Sequence, residues 1–285
     1  MTGRFAPSPT GDLHLGNLRT ALVAWLFARS RGGRFLMRME DLDRGRVRDE
    51  FYERQLADLA AVGIDWDGPV VRQSERIALY EDALGRLDTY PCWCTRAEVR
   101  DAASAPHGEL PEGAYPGTCL RLSAAERAER ERSGRPAALR LRAGGARVEF
   151  DDELHGRRSG SVDDFVLRRG DGAFAYNLAV VVDDAAQGVD HVVRGDDLVD
   201  STPRQLLLAR LLGVPEPRYA HVPLVLGPDG ARLAKRHGAV TLADRNESPQ
   251  QVRAFLLSTL GVSGDPTEFD PAQLPREPTV LGRDR

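Results

Sequence analysis

Arg4-Phe-Ala-Pro-Ser-Pro-Thr-Gly-Asp-Leu-His-Leu-Gly-Asn17 predicts a short strand, a rigid turn and a helix in immediate succession. Pro7 and Pro9 stiffen the backbone and remove two hydrogen-bond donors, so the chain must turn there instead of pairing in a sheet. A helix is expected to begin near Asp12 or His14. From that point apolar residues recur at helical spacing, at Leu18, Leu22, Trp25 and Leu26.

This strand-turn-helix unit can bind an anion, because the free backbone N–H groups at the beginning of a helix point outward. Gly16 allows a nucleotide to approach the backbone closely, and His14 can donate a hydrogen bond to a phosphate. The alternative is an ordinary strand-turn-helix with a histidine on its surface, which a His-x-Gly triplet on its own would favour.

The composition is that of an ordinary globular protein, with 41% hydrophobic and 29% charged residues among 285. This length fits one large α/β domain with an insertion, or two modest domains. A net charge of −4 gives no overall attraction to nucleic acid, so any RNA contact must come from a local basic patch. No apolar run is long enough to cross a bilayer and no signal sequence precedes the first strand, so we expect no membrane contact and a cytoplasmic location.

Acidic residues follow the second predicted strand, at residues 35–39. Ligands of open α/β sheets gather at the carboxyl ends of strands, so Glu40 can neutralise the ammonium group of a substrate. Asp41 and Asp43 can cap the next helix or bind arginines. The plain alternative, a capped helix start without a ligand, is favoured more for Asp43 than for Glu40.

The rest of the chain predicts further helices and strands. Helices are expected at residues 50–62, 77–87, 122–133 and 248–260, and strands at 138–142, 147–150, 190–195 and, as the last strand, 221–226. A hairpin is expected over 162–176, followed by a buried apolar element at 176–184. Beyond Gly261 the chain is Pro-rich and charged and is expected to fray.

All three cysteines of the chain lie between residues 92 and 119. Cys92 and Cys94 are separated by one residue and Cys119 lies across a loop, so three thiolates can form three sides of a tetrahedral zinc site. Three reduced, buried cysteines are the alternative, and their clustering favours the metal. As the fourth ligand, His107 is chemically the more usual choice, whereas Tyr115 requires that the metal lower the pKa of its phenol.

Two further stretches place cations where a ligand site is expected. Arg194 follows the Val-Val run of a predicted strand and can receive a carboxylate through two charged hydrogen bonds, with simple solvent exposure as the alternative. Residues 227–237 form a glycine-flanked basic loop after the strand at 221–226. Such a loop can stabilise the charge of a triphosphate as pyrophosphate leaves, although a basic surface loop is the better interpretation when it is considered alone.

Two of these stretches resemble the signatures of class I aminoacyl-tRNA synthetases. The first resembles the His-Ile-Gly-His signature, with Asn17 in place of the second histidine, and its full length is similar to the glutamyl branch of that class. The second signature, Lys-Met-Ser-Lys-Ser, resembles Arg232-Leu-Ala-Lys235-Arg236. Ala234 replaces its serine, which removes one hydroxyl donor to a phosphate.

The resemblance implies an α/β class I fold of Rossmann type, with an inserted zinc-containing α+β subdomain that binds a tRNA stem and a short C-terminal helical region. Residues 1–89 and 176–240 would be the two halves of the catalytic domain, and 90–175 the insertion, with its zinc module at 92–119. Residues 241–285 would form a helical stem-contact region with a frayed tail. No anticodon-binding domain is expected.

The resemblance also implies the site residues and their ligands. The expected L-glutamate-binding residues are Arg4, Ala6, Ser8, Glu40, Tyr176 and Arg194. The expected ATP-binding residues are Pro7, His14, Gly16, Asn17 and Lys235, with Mg²⁺ accompanying ATP and with His14 and Lys235 in the catalytic role. The cysteine region resembles the zinc module of glutamyl-queuosine tRNA(Asp) synthetases, which favours one structural zinc on Cys92, Cys94, Tyr115 and Cys119, with His107 as the alternative to the tyrosine.

The implied reaction has two steps. Glutamate and ATP form glutamyl-adenylate and pyrophosphate, and the glutamyl group then passes to the queuosine base in the anticodon of tRNA(Asp). One alternative is a short synthetase that charges a tRNA 3′ end with glutamate. Another is a catalytically silent binding module. Ala234 is the one feature in favour of this alternative, and the presence of His14, Glu40, Arg194 and Lys235 argues against it. A monomer is expected.

Overall fold

A computed structural model describes residues 1–103, 114–231, 233 and 240–281. Its α-helices, in chain order, are α1 (Leu15–Arg29), α2 (Asp49–Ala61), α3 (Ile77–Gly85), α4 (Arg96–Ala103), α5 (Ala124–Arg132), α6 (Tyr176–Gln187), α7 (Thr202–Leu212) and α8 (Pro249–Ser258). Its strands are β1 (Thr2–Phe5), β2 (Arg34–Met39), β3 (Val71–Arg72), β4 (Thr89–Cys92), β5 (Ala138–Leu141), β6 (Arg147–Asp152), β7 (Gly156–Ser161), β8 (Val166–Arg168), β9 (His191–Gly195), β10 (Arg218–Val222), β11 (Val225–Leu226) and β12 (Thr279–Val280).

Two sheets position the cleft described below. The first is parallel, in the order β1-β2-β3, and α1 makes the crossover that a parallel pair requires. The second has the order β7-β6-β10-β9, in which β9 and β10 pair in parallel along their whole length. β1 lies beside β9, where the backbone N–H of Asp190 donates to the carbonyl oxygen of Thr2 at 3.1 Å. The carboxyl ends of β1, β2 and β9 therefore meet at one edge.

The helix α1 is buried on most of its sides because it packs against β1, β9 and α8. Leu18, Leu22 and Leu26, which the helical spacing singles out, are all 0% exposed. The apolar core around α1 continues into α8 and the C-terminal segment, while a second core joins α3, α6 and α7. The first helix is thus the centre of the core beneath the cleft.

A third, antiparallel sheet in the order β4-β5-β8 holds the cysteine region. β5 and β6 follow each other in the sequence but lie in different sheets, since β6 pairs in parallel with β10 at Asp152 and Tyr219. Part of the expected insertion at 90–175 therefore extends the sheet that contains β9 and β10. The boundaries proposed between the parts of the chain remain predictions.

The expected fraying beyond Gly261 is wrong as far as residue 281. Leu274 is 3% exposed and belongs to the same core as α1, and β12 pairs in parallel with β11. Arg19 of α1 donates to the hydroxyl oxygen of Thr279 at 3.3 Å. A segment without regular periodicity packs here because single side chains, rather than a repeating pattern, reach the core.

Two strand predictions also need correction. Residues 221–226 are not one last strand, because Pro223 lacks the N–H that would continue β10, and β11 and β12 follow it. The hairpin expected over 162–176 is reduced to β8 and a single bridge from Arg168 to Phe174. The buried apolar element that follows is the helix α6. The helices expected at 50–62, 77–87, 122–133 and 248–260 are confirmed as α2, α3, α5 and α8.

The acidic residues after β2 do not cap the next helix. α2 has Arg48 at its N-cap position, without a side-chain capping bond. Asp41 instead accepts hydrogen bonds from the hydroxyl groups of Tyr52 at 2.7 Å and Ser74 at 2.6 Å. The carboxylate therefore links β2 to α2 and to the turn after β3. In the described part of the chain, no helix combines the length and apolar character needed to span a membrane.

Candidate active site

The carboxyl ends of β1, β2 and β9 open into one cleft with a cavity volume of about 420 Å³, within the range of small-molecule sites. The cleft brings together most of the residues expected to bind glutamate and ATP, namely Arg4, Ala6, Ser8, His14, Gly16, Asn17, Glu40, Tyr176 and Arg194. Pro7 does not line it, and its carbonyl oxygen accepts the backbone N–H of Glu40 at 2.9 Å. Lys235 lies outside the described residues.

His14 is the N-cap residue of α1 and lines the cleft. Its Nδ1 accepts the backbone N–H of Asn17 at 3.2 Å, and the Asn17 Oδ1 accepts the backbone N–H of His14 at 3.1 Å. A ring nitrogen that accepts carries no proton in the neutral imidazole, so the proton of His14 lies on Nε2. A Cβ at Gly16 would lie 3.0 Å from Nδ1. The first signature thus begins the helix and sets the orientation of the imidazole.

Leu233 of the second signature and the residues that follow this signature, Val240 and Thr241, lie beside the first signature or the cleft. The carbonyl oxygen of Val240 accepts the backbone N–H of Leu15 at 2.7 Å, and Thr241 forms a bridge with His14. On the other side, Leu233 lines the cleft and its backbone N–H donates to the carbonyl oxygen of Val225 at 3.3 Å. The described residues on both sides of 234–239 are therefore fixed at the cleft.

Two buried arginines face one carboxylate beneath the cleft. Arg4 donates through Nε and Nη2 to the two oxygens of Asp184, each at 3.2 Å, and Arg38 donates to the same carboxylate at 2.8 Å. Burial alone would raise the pKa of the Asp184 carboxyl, but the two arginines hold it below its usual value. The charge of Arg4 is therefore compensated by an ionised carboxylate.

Arg38 also connects Asp184 with Glu40. Its Nη2 lies 3.5 Å from Oε1 of Glu40, and its Nε lies 3.7 Å from Oδ2 of Asp183. Burial raises the pKa of Glu40, while Arg38 and Arg4 oppose the rise. Because one guanidinium is shared among three carboxylates, Glu40 has only part of a positive charge beside it. A buried carboxylate in this state is suited to receive a further cation.

Arg194 lies at the end of β9 and is 5% exposed. Three short hydrogen bonds hold its guanidinium from the side away from the cleft, to Nε2 of His221 at 3.0 Å, Oε1 of Gln205 at 2.7 Å and Oγ1 of Thr202 at 2.9 Å. Two longer bonds, both 3.3 Å, go to the hydroxyl oxygen of Tyr176 and the carbonyl oxygen of Leu198, which line the cleft. Each terminal nitrogen thus has one short bond inward and one long bond toward the cleft.

The partners of Arg194 also differ in charge from those of Arg4. Among the described residues, its hydrogen-bond partners are a ring nitrogen, an amide, two hydroxyl groups and a backbone carbonyl, and none is a carboxylate. An incoming carboxylate can replace the two long bonds, one on each terminal nitrogen, and meet a positive charge that no contacting carboxylate compensates.

The sequence analysis missed the residues that support this site. Arg38 lies inside a predicted apolar strand, and Asp183 and Asp184 end an apolar run. Charged residues that interrupt an apolar run indicate buried ion pairs, so these three residues could have been recognised from the sequence. No comparable signal exists for His221, whose partners Arg194 and Asp152 are 27 and 69 residues away in the chain.

The three cysteines meet away from the cleft. Their sulfur atoms lie within 4.8 Å of one another, and all three cysteines are free. The hydroxyl oxygen of Tyr115 lies 3.4 Å from the sulfur of Cys92 and 3.8 Å from that of Cys94, and accepts the backbone N–H of Cys119 at 2.7 Å. Tyr115 therefore brings a fourth donor atom to the cluster. His107 lies outside the described residues.

Without a metal ion, the environment of the cluster favours the protonated forms of Cys94 and Tyr115 but not that of Cys92. Burial raises the pKa of the Cys94 thiol to about 12, with the hydrogen bond to Cys119 as a further cause. Burial also raises the pKa of the Tyr115 phenol. For Cys92, the hydrogen bond with Tyr115 and the charge of Arg140 together outweigh burial and lower the pKa. The guanidinium of Arg140 lies 3.6 Å from the centre of the Tyr115 ring, so a cation already supports this side of the cluster.

Comparison with known proteins gives relatives along nearly the whole chain. A protein of Nocardia farcinica named glutamyl-Q tRNA(Asp) synthetase is 65% identical, over 98% of this chain and 92% of that protein. A protein of the same name from Symbiobacterium thermophilum is 51% identical, over 99% of this chain and 96% of that protein.

Solved structures and a family model agree with these relatives. The crystal structure of a glutamate tRNA ligase from Elizabethkingia meningosepticum, in complex with its amino acid, has a TM-score of 0.81 at 26% identity and covers 100% of this chain and 67% of that one. The family described as tRNA synthetases class I (E and Q), catalytic domain, matches residues 1–269. These findings show that the chain belongs to the class I tRNA synthetases of this branch and, within it, to the family whose members are named glutamyl-Q tRNA(Asp) synthetase.

Proposed function

We propose that this protein activates L-glutamate with ATP and transfers the glutamyl group to the queuosine base of tRNA(Asp). The observation that carries the proposal is the guanidinium of Arg194, whose two terminal nitrogens each have one long, replaceable bond on the side of the cleft. The choice of acceptor rests on the names of the relatives.

Glutamate fits the cleft with its two charged ends on different receptors. The side-chain carboxylate would accept two parallel hydrogen bonds from Arg194, and the ammonium group would lie at the carboxylate of Glu40. Both residues line the same cleft. Ala6, Ser8 and the hydroxyl group of Tyr176 complete the proposed glutamate site, with Arg4 beneath it, and the α-carboxylate is left for reaction.

The first chemical step requires positioning and charge stabilisation. An oxygen of the α-carboxylate attacks the α-phosphorus of ATP, and the bond to the bridging oxygen breaks so that pyrophosphate leaves. The Nε2–H of His14 and the positive end of the α1 dipole, beside Gly16, would stabilise the negative charge that develops. We assign a further cation to Lys235. Mg²⁺ that arrives with ATP would supply additional charge neutralisation.

The second step is an acyl transfer. A hydroxyl oxygen of the cyclopentenediol of queuosine attacks the carbonyl carbon of glutamyl-adenylate, the hydroxyl proton is lost, and AMP leaves. No side chain of the protein needs to form a covalent bond, so the protein contributes orientation and electrostatics. The sheet β4-β5-β8 and the arginines of the charged helix α5 are the surfaces we propose for the anticodon stem.

We also propose one structural zinc ion on Cys92, Cys94, Tyr115 and Cys119. Three sulfur atoms and a phenol oxygen that lie this close form a suitable donor set for zinc. When bound, the ion would connect the end of β4 with the 3-10 turn at Thr118–Arg121. None of the four residues lines the cleft, which supports a structural role. We propose that the protein acts as a monomer, in the cytoplasm where its substrates occur.

The acceptor is tested by locating the product. Labelled glutamate is supplied with ATP and Mg²⁺ to two tRNA(Asp) pools, with and without queuosine, and the label is mapped by nuclease digestion. Label on the anticodon fragment of the queuosine pool alone is expected. Label on the 3′-terminal adenosine would instead identify a short synthetase, and no label on either pool despite bound ATP would identify a silent module.

Matched arginine variants test the glutamate site. Arg194→Lys keeps the positive charge but loses the bidentate hydrogen bonding of the guanidinium. The rate of glutamate-dependent ATP–pyrophosphate exchange at low glutamate is therefore expected to fall roughly a hundredfold. Arg218→Lys is the control, because Arg218 lies 55% exposed on the neighbouring strand β10. Equal activities of the two variants would contradict the proposed role of Arg194.

A further inference from the structure

Asp152, His221 and Arg194 form a chain of hydrogen bonds that begins at a buried carboxylate and ends at the cleft. Nδ1 of His221 lies 2.6 Å from Oδ2 of Asp152, and Nε2 lies 3.0 Å from Nε of Arg194. The three residues are 3%, 0% and 5% exposed. They come from the neighbouring strands β6, β10 and β9, so the pairing of the second sheet aligns them.

The arginine determines the tautomer of the histidine. A guanidinium nitrogen only donates, so Nε2 of His221 must be an unprotonated acceptor, and the proton of the neutral ring lies on Nδ1 and is donated to Asp152. The carboxylate of Asp152 is itself fixed. Its Oδ1 accepts the backbone N–H groups of Leu154 at 3.0 Å and His155 at 2.9 Å, and its Oδ2 accepts the backbone N–H of His221 at 3.2 Å.

We propose that Asp152 and His221 are positioning residues that hold Arg194 ready for the side-chain carboxylate of glutamate, an inference that rests on the proposed function. The imidazole separates the two opposite charges. Asp152 therefore orients Arg194 without forming a direct ion pair with it, and the positive charge stays available to the substrate. Asp184 has the opposite effect on Arg4, because its two oxygens contact that guanidinium directly.

The bond to Nε controls rotation of the guanidinium. Nε is the hinge between the side-chain stem and the planar group, and its acceptor fixes the plane that carries the two terminal nitrogens. Without this acceptor, only the short bonds to Gln205 and Thr202 restrain rotation about the Cδ–Nε bond, so the two donors reach both oxygens of a carboxylate less often. Removing the imidazole is therefore expected to weaken the binding of glutamate and to leave ATP binding largely unchanged.

Protonation of His221 would break the same bond, because an Nε2–H would face the Nε–H of Arg194. Burial lowers the pKa of His221, the hydrogen bond to Asp152 raises it, and the charge of Arg194 lowers it again, so that the net pKa lies below its usual value. The charged or titratable groups that face the ring are Asp152 of β6, Arg194 of β9, Tyr219 of β10 and His155 in the turn after β6. The ring is neutral at pH 7, and the KM for glutamate should rise as acid protonates it.

Three variants test the inference in glutamate-dependent ATP–pyrophosphate exchange, measured from about pH 8 down to the lowest pH at which the protein stays folded, because the pKa of His221 lies below the ordinary histidine value of about 6.5. His221→Leu removes the acceptor and should raise the KM for glutamate roughly tenfold or more, with the KM for ATP unchanged within about twofold. His221→Gln restores a neutral acceptor and should bring the KM for glutamate back to within a few-fold of wild type. It should also reduce the rise in this KM at acid pH. His155→Gln keeps its backbone N–H bond to Asp152 and should behave as wild type.

A second readout separates positioning of the charge from a general structural role. A glutamyl-sulfamoyl adenosine analogue should lose affinity for His221→Leu, whereas the glutaminyl analogue, which lacks the carboxylate, should bind wild type and variant alike. An equal loss for both analogues, or KM values for glutamate and ATP that rise together, would overturn the inference. If His221→Leu does not fold, an acid-side rise in the His221→Gln variant that equals that of wild type overturns it. Absence of exchange in the wild-type protein would refute the proposed function, and unchanged variants of an active protein would refute the inference alone.

Discussion

Arg4 and Arg194 line the same cleft, but within the described part of the chain only Arg4 is bonded to a carboxylate. Arg4 contacts both oxygens of Asp184 at 3.2 Å, whereas Arg194 contacts Nε2 of His221 and neutral oxygen atoms. The two arginines are almost equally buried, so burial alone would not distinguish them. Their bonding separates an arginine whose charge is already compensated by a carboxylate from one whose charge is available to a substrate anion.

This difference predicts opposite phenotypes for two similar substitutions. Arg4→Gln leaves Asp184 with one arginine instead of two and should lower the free energy of unfolding by about 3 kcal/mol, as expected when a buried ion pair loses a partner. Arg194→Gln removes no ion pair, so it should change stability less and raise the KM for glutamate far more. Urea denaturation and exchange kinetics of both variants test this. Equal losses of stability would contradict the distinction.

The carboxylate of Asp184 should make stability depend on acid. Although burial opposes it, Arg4 and Arg38 hold the pKa of this group below its unfolded value of about 3.9. The stabilisation is therefore present above that value and lost as the pH falls through the lower, folded pKa. Asp184→Asn should be less stable than wild type at pH 7, and the difference should shrink below about pH 4.

The exposed Asp88 provides a control for this measurement. Its side chain is 70% exposed and pairs with Arg142 on the surface, so Asp88→Asn should cost less than about 1 kcal/mol at any pH. Urea denaturation followed by circular dichroism at several pH values gives both comparisons. A difference between wild type and Asp184→Asn that stays constant into strong acid would show that the ion pairs do not carry the effect.

Two glycines of the first signature region should respond differently to alanine. A Cβ at Gly16 would lie 3.0 Å from Nδ1 of His14, whereas nothing lies within 4 Å of a Cβ at Gly11. Gly16→Ala should displace the imidazole and raise the KM for ATP several-fold. Its stability should change little, because the gain in helix propensity of about 1 kcal/mol offsets a weakened cap of similar size. Gly11→Ala should leave the KM for ATP unchanged, and a similar rise in both variants would contradict the steric explanation.

The cysteine cluster should bind one zinc ion and use Tyr115. Cys119→Ala should abolish stoichiometric zinc binding, while Tyr115→Phe should lower the affinity roughly tenfold or more, measured by competition with a chromophoric chelator. Tyr90→Phe is a matched control, since Tyr90 is buried in the same apolar cluster and its hydroxyl group bonds Asp164 instead. Undiminished affinity in Tyr115→Phe would point to His107 as the fourth ligand.

The sequence predicted those parts of the fold and of the site that are local. The turn at Pro7 and Pro9, the helix that begins after His14 and the position of Arg194 at a strand end all follow from residues within a few positions of one another. Such patterns can be recognised in one chain because turn chemistry, capping and periodicity act over short distances.

The parts that were missed depend on contacts between distant residues. Asp184 meets Arg4 across 180 positions and Arg38 across 146, and no local pattern states that these charges share one buried site. The C-terminal segment was misjudged for a related reason. Its composition predicts disorder, but Leu274 packs in a hydrophobic core that consists mainly of residues from the first half of the chain.

Arg19 shows what this C-terminal packing means for synthesis on the ribosome. Its guanidinium lies in the core of the first helix and donates to the carbonyl oxygen of Pro223 at 2.8 Å and to the hydroxyl oxygens of Thr259 at 3.1 Å and Thr279 at 3.3 Å. The last of these partners is translated 260 residues after the arginine itself. The helix α1 therefore leaves the ribosomal exit tunnel early. The buried guanidinium of Arg19 gains its last hydrogen-bond partner only when almost the entire chain has been synthesised. Vectorial folding of the first half alone cannot complete the cleft, because Tyr176 and Arg194 also line it.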